Sequence, residues 1–418
     1  MSKPSIVIVD PYSSGAMLAE ALRARGARCT ALESTVNMPL LMRSRFNPGM
    51  FVDIIRHAED YAATLAAVRN CRPDYVIAGF ESGVELAERL AGNLGLPCNG
   101  VALGPARRDK YLMAEAVSRH GLRTARQFLS DDIDAIVAWT RANLDWPVIV
   151  KPPKSVGSDQ VSCCHTIDAL RQGAERILTQ TNTLGSSNPA VLVQEFLAGT
   201  EYVVDTVTHA GATKVTAYWK YHRPAAAATG DFVCYDAMTL LPYDGERQVR
   251  LRAYVEGVLE ALAIRFGPAH CELMWVDGEP VLVEVAARLP AGINATLAGI
   301  CGGLCQLDET ADILLAPDRF AANLNAPACL TRHAVNLFIM PAQTGRLIRI
   351  QGIDKIRSLP TLHSYSISAQ PGDTLKRVAG LVTLVAADIH AIERDIGVIR
   401  ELERAGMFEV EALPAANH

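Results

Sequence analysis

Nothing in this chain reads as a membrane span, a disulfide framework or a familiar glycine-rich nucleotide loop. No apolar run in its 418 residues approaches the ~20 needed to cross a bilayer. The opening stretch, Lys3-Pro4-Ser5-Ile6-Val7-Ile8-Val9-Asp10, is too short in apolar residues for a signal peptide and stops at an acid. It is expected to be a first strand. The ten cysteines form no CxxC pair, and the adjacent Cys163-Cys164 have poor disulfide geometry. Cys301-Gly-Gly-Leu-Cys305 lacks the second pair that a metal clip requires. Buried thiols in a reducing compartment, the cytoplasm, are the expectation. A net charge of −5 offers no basic face for nucleic acid. The turn after the first strand, Asp10-Pro11-Tyr12-Ser13-Ser14-Gly15, lacks GxGxxG, which disfavours a Rossmann dinucleotide site. GxxxxGK[ST] is missing too, so a P-loop is excluded. No internal repeat stands out.

What is present is an ordinary soluble globular composition, 50% hydrophobic and 20% charged. The length predicts two to four subdomains. Residues 1–105 alternate short apolar runs with helical patterns: Ile6–Val9, a helix over 15–25, Asp74–Ala78, then a helix over 82–94. This rhythm predicts a small parallel α/β domain. Residues 106–197 read as a central subdomain, with a helix over 109–120 and strands at 147–152 and 191–196. Residues 198–330 are strand-rich, with helices near 246–266 and 306–315. Residues 331–418 close with a strand pattern at 378–386 and a helix over 388–405, expected to form a covering subdomain. The segment 224–228 reads as a loop.

The sharpest local signal is a pair of acids on two apolar runs, Ala269–Val276 and Pro280–Ala287, joined by Asp277-Gly278. Asp-Gly between hydrophobic runs predicts a hairpin. Pairing would bring Glu272 and Glu284 onto one face, where two buried like charges need a cation between them. Paired hard oxygens suit Mg²⁺, which fills the rest of its shell with phosphate and water. His270, two residues before Glu272, shares its face and is a substrate-contact candidate. Lys151 lies inside an apolar strand and needs a negative partner or a shifted pKa. The following Ser155-Val156-Gly157-Ser158-Asp159 offers main-chain N–H groups to phosphates. Gln194-Glu195-Phe196-Leu197 ends a strand whose exposed amides suit an adenine edge, and Glu201 suits ribose hydroxyls. Lys220 and Arg223 are further candidate phosphate or substrate partners.

In order, Asp109-Lys110, Val150-Lys151-Pro152, Gly157-Ser158-Asp159, Gln194–Leu197 with Gly199-Thr200-Glu201, and Glu272…Glu284-Val285-Ala286-Ala287-Arg288 resemble the ATP-grasp superfamily of carboxylate–amine ligases. Lys355–Thr374, Gly380-Leu381-Val382 and the final helix are similar to the C-terminal subdomain of the bacterial L-amino acid ligases, which make dipeptides. The resemblance implies an ATP-grasp fold: an N-terminal parallel α/β domain, a central lid subdomain and a larger C-terminal α+β domain. It implies that Lys110 and Lys151 touch the ATP phosphates, with Ser155, Gly157 and Ser158 closing over them. Gln194, Glu195 and Leu197 would read adenine, Glu201 would hold ribose, and Glu272 and Glu284 would bind Mg²⁺ or Mn²⁺. Arg288 would stabilise the reacting acyl centre, with Gly292 and Asn294 near the substrate. One departure stands out: Ala286 occupies a position where many members carry a metal-binding Asn.

The implied reaction joins a carboxylate to an amine through an acyl phosphate, releasing ADP and phosphate. The expected partners are small amino acids or carboxylates, with a possible homodimer and neither nucleic acid nor membrane. Two alternatives stand beside it: a carboxylase of the biotin carboxylase or purine-pathway type, and a non-catalytic ATP-binding regulator.

Overall fold

The computed structural model describes residues 3–35, 38–39, 43–223, 235–343, 345–367, 369–375 and 378–411; the expected loop at 224–228 lies outside them. Ile6, Val7, Ile8 and Val9 are completely buried, as befits a strand covered on both faces. Four strands, β1 (Ser5–Val9), β2 (Arg28–Glu33), β3 (Asp53–Arg56) and β4 (Tyr75–Ala78), pair in parallel in the order β3-β2-β1-β4. The helices Ser14–Ala24 and Val84–Leu94 follow β1 and β4. The carboxyl ends of these strands therefore open toward Tyr12, Ser13 and Glu81, where ligand crevices form in such sheets.

A second sheet contains β5 (Gln127–Ser130), β6 (Val148–Lys151), β7 (Ser162–Cys164) and β8 (Val191–Glu195), in the antiparallel order β5-β8-β6-β7. Val148, Val150, Val191 and Val193 pack against Ile136, Leu170, Ala174 and Ile177 of the helices Ile133–Asn143 and Ile167–Thr179. Strand alternation then leaves Ile149, Lys151 and Gln194 on the opposite face.

The third sheet is built from β9 (Thr200–His209), β10 (Ala212–His222), β11 (Ala237–Leu241), β12 (Gly267–Val276) and β13 (Glu279–Ala286). The tail contributes β14 (His333–Ile339), β15 (Arg346–Ile350), β16 (Leu362–Ile367), β17 (Gly380–Ala386) and β18 (Phe408–Glu411). Eight of these strands run in the order β13-β12-β9-β10-β11-β14-β17-β16, while β15 pairs with β18. On one face Tyr202 and Leu273 pack against Leu251, Val255 and Val258 of the helix Glu246–Ala261. The other face carries Glu201, Asp205, His270 and Glu272. Val335, Leu337, Val382 and Leu384 bury against Ile392 and Ile399 of the helix Ile389–Arg404, which Asp388 caps. Among the described residues no helix is long and apolar enough to cross a membrane.

Because β14 extends the sheet from β11, the tail is part of the packed structure. Leu384→Ala should cost about 2–5 kcal/mol by urea denaturation, the usual range for a fully buried Leu. Truncation after residue 330 bares the β11 edge and the apolar cluster, so that fragment is expected to aggregate. A soluble, fully active 1–330 fragment, or a loss below 1 kcal/mol for Leu384→Ala, would contradict this account.

Candidate functional site

The hairpin β12–β13 turns on Asp277 and Gly278, both with positive φ (54° and 83°), the conformation that an Asp-Gly turn supplies. Its register sets Glu272 opposite Glu284 and His270 opposite Ala286, with a bulge between Glu272 and Leu273. On the other side β9 pairs with β12, placing Val203 opposite Glu272, Asp205 opposite His270 and Glu201 opposite Met274. Three adjacent strands thus present Glu201, Asp205, His270, Glu272 and Glu284 on one face. Gly199 lets the chain turn between β8 and β9; a Cβ there would come within 2.1 Å of the Trp275 carbonyl oxygen.

A cleft of about 860 Å³ separates this face from the second sheet. It is lined from one side by Glu201, Met274, Leu282, Glu272 and Glu284, and from the other by Ile149, Lys151 and Gln194. The loop 155–159, the strand end Glu195-Phe196-Leu197, and Lys110, Arg223 and Tyr235 close its rim. Asp109 caps the helix Lys110–Arg119 by accepting from the Tyr111 and Leu112 N–H groups, which fixes Lys110 in the first turn. Lys110 Nζ reaches Glu284 Oε2 at 2.6 Å and donates to the Ser155 carbonyl at 3.2 Å.

Charges dominate this cleft. Lys151 is 5% exposed and is held down to about 8 by burial and by the neighbouring Lys110, against the pull of Glu284, Glu272 and Glu201. Among the described residues no carboxylate lies in ion-pair contact with it. Glu201 is pushed up to about 7 by burial and by Glu272, even though Arg223 (2.8 Å) and the Tyr235 hydroxyl (2.8 Å) both donate to it. Burial works against a charged His270, yet Asp205 and Glu272 raise it to about 10. Its Nδ1 lies 2.6 Å from Asp205, which also accepts from Trp219 Nε1 at 2.7 Å. Its Nε2 is 3.4 Å from Glu272.

Some of the residues singled out from the sequence lie away from the cleft lining. Lys220 pairs with Tyr202 and Thr239, so alternation turns it to the sheet face opposite Glu272. Arg288, just past β13, donates from Nε to Glu81 Oε2 at 2.7 Å. The Gly292 N–H donates to Ser13 Oγ at 3.1 Å, and Asn294 Oδ1 accepts from Asn336 at 2.5 Å. These three form a strip between the N-terminal sheet and the tail.

The sequence reading missed Glu81, Asp205 and Tyr235. Glu81 is buried and bridges Arg288 and Arg108; burial opposes its charge, but the two arginines hold it down at about 2. Its position just past the end of a parallel strand was the available signal.

The region 144–297 matches the ATP-grasp domain family. The whole chain is similar to the dapdiamide A synthase of Enterobacter agglomerans, 28% identical over 96% of both chains. Among solved structures, the L-amino acid ligase of Bacillus licheniformis aligns with a TM-score of 0.76 at 17% identity, covering 99% of this chain and all of that one. Residues 144–297 belong to the ATP-grasp domain family, and the whole chain shares its fold with an L-amino acid ligase. The N5-carboxyaminoimidazole synthetase of Staphylococcus aureus, solved with ADP, shares the fold at a TM-score of 0.66 and 15% identity, over 96% of this chain and 99% of that one.

The Glu81 bridge makes stability depend on pH in a definite direction. Its folded pKa lies below its ordinary value of 4.5, so its stabilising contribution is complete above about 4.5 and is lost as pH falls through about 2. Glu81→Gln should cost about 3–5 kcal/mol at pH 6 by chemical denaturation, because it leaves the charge of two largely covered arginines unpaired. The gap to the wild type should narrow at pH 3.5. A gap that stays constant or widens toward acid would refute the assignment.

Proposed function

We propose that this ligase uses ATP to join the carboxylate of one amino acid, or of a small carboxylic acid, to the amine of another, through an acyl phosphate. One observation carries this reading. Lys110, Lys151, Glu272 and Glu284, from four separate elements, converge on a single cleft, and a partly buried arginine held by Glu81 follows the second glutamate by four residues. The full-length similarity to a dapdiamide synthase supports amino-acid-like substrates.

Each residue then has a physical task. The main chain of Glu195 and Leu197 reads adenine, with Gln194 beside it, and Glu201 holds the ribose. Lys110 and Lys151 offset the negative charge that gathers as the substrate carboxylate attacks the γ-phosphorus and ADP leaves. Ser155, Gly157 and Ser158 bring main-chain N–H groups to the phosphates and keep water from the acyl phosphate. The amine then attacks the acyl carbon, losing a proton as phosphate departs, while Arg288 steadies the oxyanion. In this reading residues 106–197 and 198–330 supply the two halves of the grasp, and 331–418 covers the substrate side.

Glu272 and Glu284 fit Mg²⁺: they are hard oxygen donors in direct cross-strand register, and Mg²⁺ takes one or two carboxylates plus phosphate and water. When bound, the ion supplies charge neutralisation at the phosphates. Ala286 provides no third ligand, and the group facing it across the strands is His270.

The test is an ADP-release screen over pairs of amino acids and small carboxylates, with product masses measured. ADP release that needs bicarbonate and no amine would instead select a carboxylase, a reading encouraged by the shared fold with the carboxyaminoimidazole synthetase. Glu272→Gln and Glu284→Gln should each abolish turnover while circular dichroism stays native; activity retained in both would sink the metal assignment. Arg288→Ala should bind ATP with near-normal affinity by calorimetry yet turn over ~10²–10³ more slowly, the usual loss for an oxyanion donor. A defect confined to ATP affinity would rule that role out.

A further inference from the structure

Gln194 and Gln127 face each other across β8 and β5. Gln194 Nε2 donates to Gln127 Oε1 at 2.9 Å. The two ends of an amide are alike in shape, so the sense of such a pair has to be decided by its other neighbours. Here they decide it. Gln127 Nε2 donates to the Tyr111 carbonyl at 3.0 Å and to Glu115 Oε1 at 3.3 Å. Carbonyl and carboxylate oxygens only accept, so the Gln127 NH₂ must point toward them. Turning Gln127 over would set oxygen against oxygen twice. Its own oxygen is therefore fixed toward Gln194, and Gln194 must answer with its NH₂. What remains for Gln194 is its carbonyl oxygen, which accepts no hydrogen bond from the described residues. Gln194 is 7% exposed, and it lines the cleft beside Ile149 and the strand end 195–197.

We infer that Gln127 is a specificity-determining residue: by fixing the sense of the Gln194 amide, it makes the cleft select a 6-amino purine nucleotide over a 6-oxo one. This rests on the reading of the cleft as the nucleotide site. The exocyclic amine of adenine donates to the waiting oxygen. Guanine and hypoxanthine present an oxygen there, so two acceptors meet and neither is satisfied. A buried acceptor left without a donor weakens binding by roughly ten- to a hundredfold. Gln127 touches no reacting group; it acts through Gln194 and takes its own orientation from the helix that carries Lys110.

Calorimetry on the full-length protein with ADP, IDP and GDP, each with Mg²⁺, tests this. The wild type should prefer ADP over IDP by about tenfold or more. Gln127→Leu frees the Gln194 amide to turn, so the ADP/IDP ratio should fall toward parity. Gln127→Lys sets a donor opposite Gln194, turns its NH₂ to the cleft, and should shift the ratio toward IDP. It also retains donors for Tyr111 and Glu115, so it tests the idea even if the leucine variant fails to fold. A merely structural role would weaken all three nucleotides together and leave the ratio unchanged. Equal wild-type affinities would overturn the inference. So would an unchanged ratio in both Gln127 variants alongside a lowered ratio in Gln194→Leu, although the nucleotide reading would then stand. If Gln194→Leu alters binding of no nucleotide, the nucleotide reading at this position fails and takes the inference with it.

Discussion

Glu272 and Glu284 stand directly opposite each other on neighbouring strands, with Glu201 one strand further along, and the rest of the cleft is organised around that repulsion. Like charges in direct cross-strand register destabilise a sheet, and burial enlarges the effect. The fold answers with cations drawn from elsewhere. Lys110 comes from a capped helix start, Lys151 from the facing sheet, Arg223 from just past β10, and His270 from β12 itself. Each cation is also restrained by a second partner or by burial, so the charges are in place before any ligand arrives. Preorganised charge of this kind works where water is excluded, because no solvent has to reorient as reaction proceeds.

The strip from Arg288 to Asn294 is held from both sides. The turns after β4 and β1 supply Glu81 to Arg288 and Ser13 to Gly292; the tail supplies Asn336 to Asn294, and Thr383 steadies Asn336 at 2.7 Å. The planar fork of a guanidinium is held in direction by a carboxylate partner. The carboxylate that holds Arg288 lies just past β4, more than two hundred residues earlier in the chain. The N-terminal domain and the tail therefore hold this strip through largely part-buried hydrogen bonds, without lining the cleft.

Local chemistry was legible in the sequence where one short segment carried it. Asp277-Gly278 between apolar runs has one economical solution, a hairpin, and the hairpin alone brings Glu272 opposite Glu284. The apolar neighbours of Lys151 announced a buried lysine. The ordered motifs from Asp109 to Arg288 were enough to name the ATP-grasp resemblance. Lys220 was misleading for a simple reason. A strand alternates, and no local feature said which face of β10 the cleft would take.

What the sequence determined by itself was periodicity and punctuation: which segments are strands or helices, where they turn, and which carry ionisable groups into apolar surroundings. These follow from backbone propensities and side-chain spacing over a few residues. The tertiary structure decided which of those groups meet. Glu81 with Arg288, Tyr235 with Glu201, and Gln127 with Gln194 are separated by 207, 34 and 67 residues. Contacts over such distances depend on sheet order and on which faces pack together, and no local pattern encodes either.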